Sequence, residues 1–376
     1  MDLWQKLDVL GQAAQYDTCQ GCGTQMHRVR DDIGRWIYPA VRPDGKRVRL
    51  LKVLQSNACQ NDCAYCAHRS GRDTRRVTFQ PDELARAFAE LAQRGHAEGL
   101  FLSSGVCGRV DQATERMLAT VELVRRRYQF RGYVHLKILP GADEASIAES
   151  IKLANRVSVN LEAPSATRLS ALSRNKDFEK QLLGTLEMAH RLRSALAPAV
   201  SMTTQFVVGA AGESDREILA TATRLYRDLG LARAFYSAFQ PIPETPLEDH
   251  PATPLWREHR LYQADFLLRK YGFTFDDLIF DESGNLPARA DPKLLWALAH
   301  PERFPIEVNS ASREELLRIP GIGPRFANRI LKRRREGKLR DLTHLGLPQA
   351  LAERAAPFIL LGGKRPAFQP TLWGMV

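Results

Sequence analysis

"ACQNDCAYCAH", residues 58–68, puts Cys59, Cys63 and Cys66 within eight positions at the spacing C-x3-C-x2-C. Just upstream, "VRLLKVLQS" reads as a buried strand, so the thiols sit where that strand ends. Downstream, strand-like and helix-like segments alternate as far as about residue 240. Helix "PDELARAFAELAQRG" precedes strand "GLFLSSG", and helix "DQATERMLATVELVRRRY" precedes strand "GYVHLKILPG". The order continues through "DEASIAESIKLA", "RVSVNLEAP", "FEKQLLGTLEMAHRLRSA", "AVSMTTQFVVGAAGE", "DREILATATRLYRDLG" and "ARAFYSAFQPIPETPL". Such alternation predicts an α/β fold with parallel strands joined by right-handed crossovers. Ligands of such sheets gather at the C-terminal ends of strands, where the cysteine loop lies.

Two chemistries compete for the three thiols. A structural zinc site takes four ligands, commonly as two separated pairs. Cys19 and Cys22, in "CQGC", could complete one, but five cysteines then contend for four places. An iron–sulfur cluster on three thiolates instead leaves one iron open to a small molecule. A disulfide framework does not fit six cysteines in 376 residues, five of them in two short stretches.

The spacing, with Tyr65 just before the last cysteine and a first strand just before the loop, resembles the radical S-adenosylmethionine (SAM) enzymes. That resemblance implies a partial (β/α)6 barrel in which Cys59, Cys63 and Cys66 hold a [4Fe-4S] cluster. The open iron would chelate SAM, and one electron would split it to a 5′-deoxyadenosyl radical. The cofactors would carry the hard step, with the protein supplying orientation and dryness. Ser103, Ser104 and Gly105 stand where the family usually has glycines and a glutamate near the methionyl amine. Ser158, Asn160 and Glu162 alternate along one strand face suited to ribose and carboxylate contacts. Gly209 and Gly212, in "QFVVGAAGESD", resemble the family's glycine motif beside the adenine; small residues for strand-end packing are the plainer reading. Cys107 is either a thiol hydrogen donor or a buried structural cysteine.

The C-terminal part carries a second pattern, "VNSASREELLRIPGIGPRFANRILKRRREGKLRDL" (308–342). Ser312 and Glu315 form a capping box, and Pro324 suits the first turn of a following helix. Phe326, Ala327, Ile330 and Leu331 share one face of that helix; Arg325, Arg329, Lys332 and Arg333 share another. The segment resembles a helix-hairpin-helix motif with hairpin Pro320, Gly321, Ile322 and Gly323. Glycines in such a turn allow close backbone approach, and a helix N-terminus offers amides to phosphate. The basic stripe adds affinity that salt weakens and that does not read bases. A second hairpin, "HLGLPQALAERAAPFI", keeps only Gly346 in its turn and reads as a packing partner.

The net charge of +11 favours a polyanionic partner. No apolar run reaches membrane-span length, and the N-terminus lacks a signal-peptide pattern, which points to the cytoplasm. Leu3, Leu7, Leu10 and Ala14 mark an N-terminal amphipathic helix. The expected organisation is an extension (1–47), a barrel (48–245), a helical connection (246–304), a small all-α helix-hairpin-helix domain (305–362) and a tail (363–376). In the tail, Gln369, Leu372 and Trp373 are loosely similar to peptides that dock on the bacterial sliding clamp. The combination resembles a bacterial family of DNA modification or repair radical SAM proteins. It implies radical chemistry on duplex DNA bound without sequence preference, with electrons from a flavodoxin- or ferredoxin-type reductant. Two alternatives stay open. One is an RNA-directed methyl or methylthio transferase, whose second cluster would draw on Cys19, Cys22 and Cys107. The other is a non-catalytic DNA-binding protein with a structural metal.

Overall fold

The computed structural model describes residues 1–14, 36–41 and 47–367. Cys19 and Cys22, and the tail residues Gln369, Leu372 and Trp373, lie outside the described residues. After helix α1 (Leu3–Ala13), seven strands form one sheet in sequence order. They are β1 (Ile37–Val41), β2 (Arg47–Leu54), β3 (Gly99–Ser103), β4 (Tyr133–Lys137), β5 (Arg156–Ser158), β6 (Ser201–Val208) and β7 (Arg233–Ala238). Strands β2 to β7 pair in parallel, and the sheet curls into an open half-barrel. Strand β1 is an addition, pairing antiparallel with β2. Pro39 at its centre hides it from a strand search, yet an edge strand tolerates proline.

The crossovers are α2 (Pro81–Gln93), α3 (Val110–Arg126), α4 (Glu144–Leu153), α5 (Ala166–Ser170), α6 (Gly184–Leu196) and α7 (Asp215–Leu229). A π-helical turn, Phe178–Leu183, leads into α6 where the pattern predicts one uninterrupted helix. Leu51, Val53, Leu100, Leu102, Val134, Leu136, Val157 and Met202 are all but fully buried on one face of the sheet. Helix α2 likewise buries Leu84, Phe88 and Leu91. Each such side chain contributes about 1.5–3 kcal/mol on leaving water. Parallel strands covered on both faces usually read as continuous apolar runs. These alternate instead: Lys52, Phe101, His135, Ser158 and Gln205 occupy the concave face between the aliphatic positions.

A second compact unit comprises residues 214–223 and 256–376. It contains most of α8 (Leu255–Lys270), then α9 (Pro292–Ala299), α10 (Arg313–Arg318), α11 (Pro324–Glu336) and α12 (Gln349–Ala355). A two-residue parallel pair, β8 (Ile306–Glu307) with β9 (Ile359–Leu360), ties its ends together, a small β element in a region expected to be all α. Its core gathers Leu316, Leu317, Ile319, Ile322, Ala327, Ile330 and Leu345. Elsewhere in this unit, buried Asp215 takes Arg257 Nε at 2.7 Å and the Leu286 amide at 2.9 Å.

Candidate active site and nucleic-acid interface

Strand β2 delivers the chain at Leu54, and the loop carrying Cys59, Cys63 and Cys66 follows at that C-terminal edge. Neighbouring backbone fixes its path. Gln55 N donates to Ser103 O at 2.7 Å, Gly105 N to Ser56 O at 2.7 Å, and Gln60 N to Val106 O at 2.8 Å. Gly105 is required by this approach: a Cβ there would lie 2.5 Å from Ala58 O and 3.1 Å from Cys59 Cβ. Arg76 closes the loop from its far end. Its guanidinium donates to Asn57 O (2.8 Å), His68 O (2.9 Å), Arg69 O (2.8 Å) and Arg72 O (3.0 Å). Asp62, between the first two cysteines, accepts from Ser173 Oγ at 2.5 Å and Arg174 N at 3.0 Å. Burial alone would raise the Asp62 carboxyl, but these bonds hold it below its usual value.

Burial pushes the Cys63 thiol up, and it pushes Cys66 up to about 12, with Cys63 adding to the effect. Bare thiolates are therefore costly here, and bound metal is what would stabilise them. Among the described residues no three His, Cys, Asp or Glu are placed to hold one ion between them. Three thiolates that each take a different iron need no such convergence. The donor set, its loop and the cradle at Gly105 fit a three-cysteine cluster.

Lys176 lies against this loop, its side chain 9% exposed, with Nζ 3.5 Å from Glu162 Oε1. Burial would lower its pKa, but Cys63, to which it hydrogen-bonds, and Glu162 hold it well above the usual lysine value. Tyr65, half-buried, hydrogen-bonds Glu162; desolvation of the phenol first, and that carboxylate second, raise its pKa.

The expected SAM contacts cluster around the same edge. Ser103 ends β3 and is buried, while Ser104 Oγ donates to Gly105 O at 2.7 Å. Ser158 Oγ is 2.9 Å from His135 Nε2, a partner the sequence did not suggest. Asn160 Nδ2 is 3.5 Å from Glu162 Oε2, and Glu162 adopts a left-handed φ of 64°. Gly209 and Gly212 have φ of 88° and 67°, so a turn demands both. The Gly209 amide is committed to Glu213, whose other carboxylate oxygen takes Ala211 N at 3.0 Å. Cys107 follows Val106, the residue bonded to the cysteine loop, and is a partly exposed free thiol. Sequence reasoning missed Arg76, Asp62, Lys176 and Glu213, whose signal lies in contacts made after folding rather than in spacing.

In the second unit the capping box is formed: Glu315 N donates to Ser312 Oγ at 3.1 Å and Ser312 N to Glu315 Oε2 at 2.6 Å. Pro320, Gly321, Ile322 and Gly323 turn the chain from α10 into α11, Gly321 at φ 84°. Both glycines, however, make room for protein. A Cβ on Gly321 would lie 2.5 Å from Leu351 O, and one on Gly323 2.8 Å from Tyr271 Oη. The Ile322 carbonyl accepts from buried Lys293. The basic stripe divides as well. Arg329 donates to Gly346 O at 2.5 Å and Arg333 to His344 O at 3.0 Å, so both cap the turn of the second hairpin. Arg325, Lys332 and Arg335 remain exposed along one side of α11.

Residues 53–225 match the model of the radical SAM superfamily, and residues 303–360 match that of the helix-hairpin-helix motif. The chain is similar to the threonylcarbamoyladenosine tRNA methylthiotransferase MtaB of Thermotoga maritima, 24% identical over 58% of this chain and 50% of the relative. It is also similar to the tRNA-2-methylthio-N(6)-dimethylallyladenosine synthase of Anaeromyxobacter sp., 26% identical over 60% of this chain and 48% of the relative. The chain thus spans about half the length of these curated relatives. Among solved structures, the FeFe-hydrogenase maturase HydG of Carboxydothermus hydrogenoformans aligns with a TM-score of 0.47 at 15% identity, over 57% of this chain and 50% of that one.

Proposed function

For a chain that belongs to the radical SAM superfamily through residues 53–225 and carries a helix-hairpin-helix motif at residues 303–360, we propose an enzyme that modifies nucleic acid, structured RNA first. The observation that carries this reading is the pairing in one chain of a three-thiol loop at a strand edge with a hairpin unit bearing exposed cations. RNA is preferred because the relatives are tRNA-modifying enzymes by name. Duplex DNA is the second reading, favoured by the helix-hairpin-helix motif itself.

Cys59, Cys63 and Cys66 would hold a [4Fe-4S] cluster. With SAM bound there, the cluster would supply one-electron chemistry for hydrogen-atom abstraction from substrate. Arg76 and Asp62 fix the path of the loop that carries the three sulfurs. Lys176 sets a positive charge beside Cys63, which eases the gathering of thiolates there. Tyr65, Ser103, Ser104, Gly105, Ser158, Asn160, Glu162, Gly209 and Gly212 would contact SAM in this reading. Arg325 and Lys332 would meet phosphate, with Arg329 and Arg333 supporting the hairpin from behind. Methylthio transfer asks for a second cluster; Cys107 is the spare thiol among the described residues. A flavodoxin- or ferredoxin-type reductant and a cytoplasmic setting belong to the same reading. Among the described residues, no helix is long and apolar enough to cross a membrane.

The test is anaerobic incubation of reconstituted protein with reductant and SAM, adding bulk tRNA or duplex DNA. Release of 5′-deoxyadenosine stimulated by tRNA supports the first reading, and stimulation by DNA alone moves the assignment to the second. No stimulation by either overturns a nucleic-acid substrate.

A further inference from the structure

Lys293, on α9, is only 7% exposed within the second unit. Its ammonium carries three N–H donors and has one hydrogen-bond acceptor, the Ile322 carbonyl in the hairpin turn. Its other contact is with the Tyr271 ring, whose centroid lies 4.9 Å from Nζ. No carboxylate among the described residues pairs with it. Those on neighbouring elements are already engaged. Asp277 takes Arg318 at 3.2 Å and Trp296 Nε1 at 2.9 Å. Asp291, at the start of α9, takes Arg354 and the Leu294 amide at 3.0 Å. Burial, with Arg318 adding repulsion, pushes Lys293 well below the usual lysine pKa. A buried cation without a counter-ion costs the fold stability. Stability therefore gives no reason for a lysine at this position.

The carbonyl that Lys293 holds supplies one. A trans peptide sets its C=O and N–H on opposite sides. With Ile322 O turned inward to the ammonium, the Gly323 N–H of the same peptide faces the other way. Gly323 is the N-cap of α11, no side chain caps that helix, and Pro324 has no amide to offer. The amides of Gly323, Arg325 and Phe326 thus stand at the helix start without a side-chain acceptor. A cation bonded to one end of a peptide polarises it and strengthens the donor at the other end.

Resting on the nucleic-acid reading above, we infer that Lys293 is a positioning residue for the hairpin's phosphate contact, a cation built in behind the peptide whose amide meets the anion. Arg325 and Lys332 approach phosphate from outside, whereas Lys293 acts through the Ile322–Gly323 peptide. Its charge also adds to a helix start that already favours anions. In the free protein that charge is unbalanced, and a docked phosphate balances it. Phosphate binding therefore draws a proton onto Lys293. Affinity falls as pH rises through the range between the free and the bound pKa.

The test uses the full chain, with binding of labelled tRNA and duplex DNA followed by fluorescence anisotropy. Lys293→Met trades the buried cation for an apolar side chain of similar length, so its melting temperature should match or exceed wild type. Its polynucleotide affinity should fall about tenfold. Lys293→Gln keeps an N–H donor for Ile322 O but no charge, and should lose affinity to the same degree. Wild-type affinity in Lys293→Gln overturns the inference, since hydrogen bonding alone would then suffice. Calorimetry of wild type in two buffers of different ionisation enthalpy reads the proton directly, between about pH 7 and 9, below the range of surface lysines. Wild type should take up protons on binding and Lys293→Met should take up fewer. Uptake that is absent from wild type overturns the inference even if both variants fail to fold. Polynucleotide binding that is retained but indifferent to Lys293 removes this role alone. Absent binding by wild type removes the reading beneath it.

Discussion

Arg76→Met removes the clamp on the cysteine loop while leaving all three thiols in the sequence. The wild-type guanidinium donates to four carbonyls, those of Asn57, His68, Arg69 and Arg72, at 2.8–3.0 Å. A hydrogen bond to a charged donor contributes about 1.5–3 kcal/mol, but water can replace part of it where the group is partly exposed. Taking about 0.5–1 kcal/mol for each of the four lost bonds, the ordered loop weakens by about 2–4 kcal/mol, a factor of about 30 to 1,000. That loss falls on the geometry that gathers the thiolates, so it should appear as cluster lability. The assay is iron content and visible absorption after anaerobic reconstitution, then the rate of bleaching by a chelator. Arg76→Met should load less iron and bleach much faster than wild type, and Arg76→Lys should fall between them, since an ammonium cannot span four acceptors. Equal loading and equal chelator resistance in Arg76→Met would show that the loop holds itself and that the clamp is incidental.

Replacing Cys59, Cys63 and Cys66 with alanine should abolish iron binding and SAM cleavage while polynucleotide affinity stays near wild type; residual cleavage would remove the cluster assignment. Arg325→Glu with Lys332→Glu should lower polynucleotide affinity and flatten its salt dependence by about one log–log unit per lost phosphate contact, whereas an unchanged slope would move the interface elsewhere. Arg257→Met strands the buried Asp215 carboxylate and should destabilise the second unit by about 3–5 kcal/mol in denaturant unfolding. Glu307 supplies a pH test. Burial would raise its carboxyl, but the Asn309, Gly363 and Gly362 amides and the Asn309 side chain hold it below 4.5. A depressed carboxylate adds stability above its unfolded pKa, which is lost as pH falls through the folded one, so Glu307→Gln should flatten the acid limb below about pH 4.5.

The cysteine loop and the six parallel strands were legible because both are local patterns: thiol spacing, and apolar alternation broken by turns. The capping box at Ser312 and the apolar face of Ala327 and Ile330 were legible for the same reason. Lys176 was not, since its value comes from meeting Cys63 across 113 positions of chain (176 minus 63), which no spacing records. The hairpin glycines were recognised, but the protein neighbours that crowd them were not: Leu351 and Tyr271 press on the turn. Arg329 and Arg333 share the charge pattern of Arg325 and Lys332, and only the position of the second hairpin, whose carbonyls the first two bond, sets them apart. Bulky substitutions at Gly321 or Gly323 would therefore test folding before they tested binding.

Electron paramagnetic resonance of the singly reduced, reconstituted protein, recorded with and without SAM, reaches the open iron itself. The signal should change on adding SAM, should vanish in the triple cysteine variant, and should be accompanied by 5′-deoxyadenosine on turnover. A spectrum indifferent to SAM, with no 5′-deoxyadenosine formed, would mean that every iron already has a permanent ligand, and the radical enzyme described here would not exist.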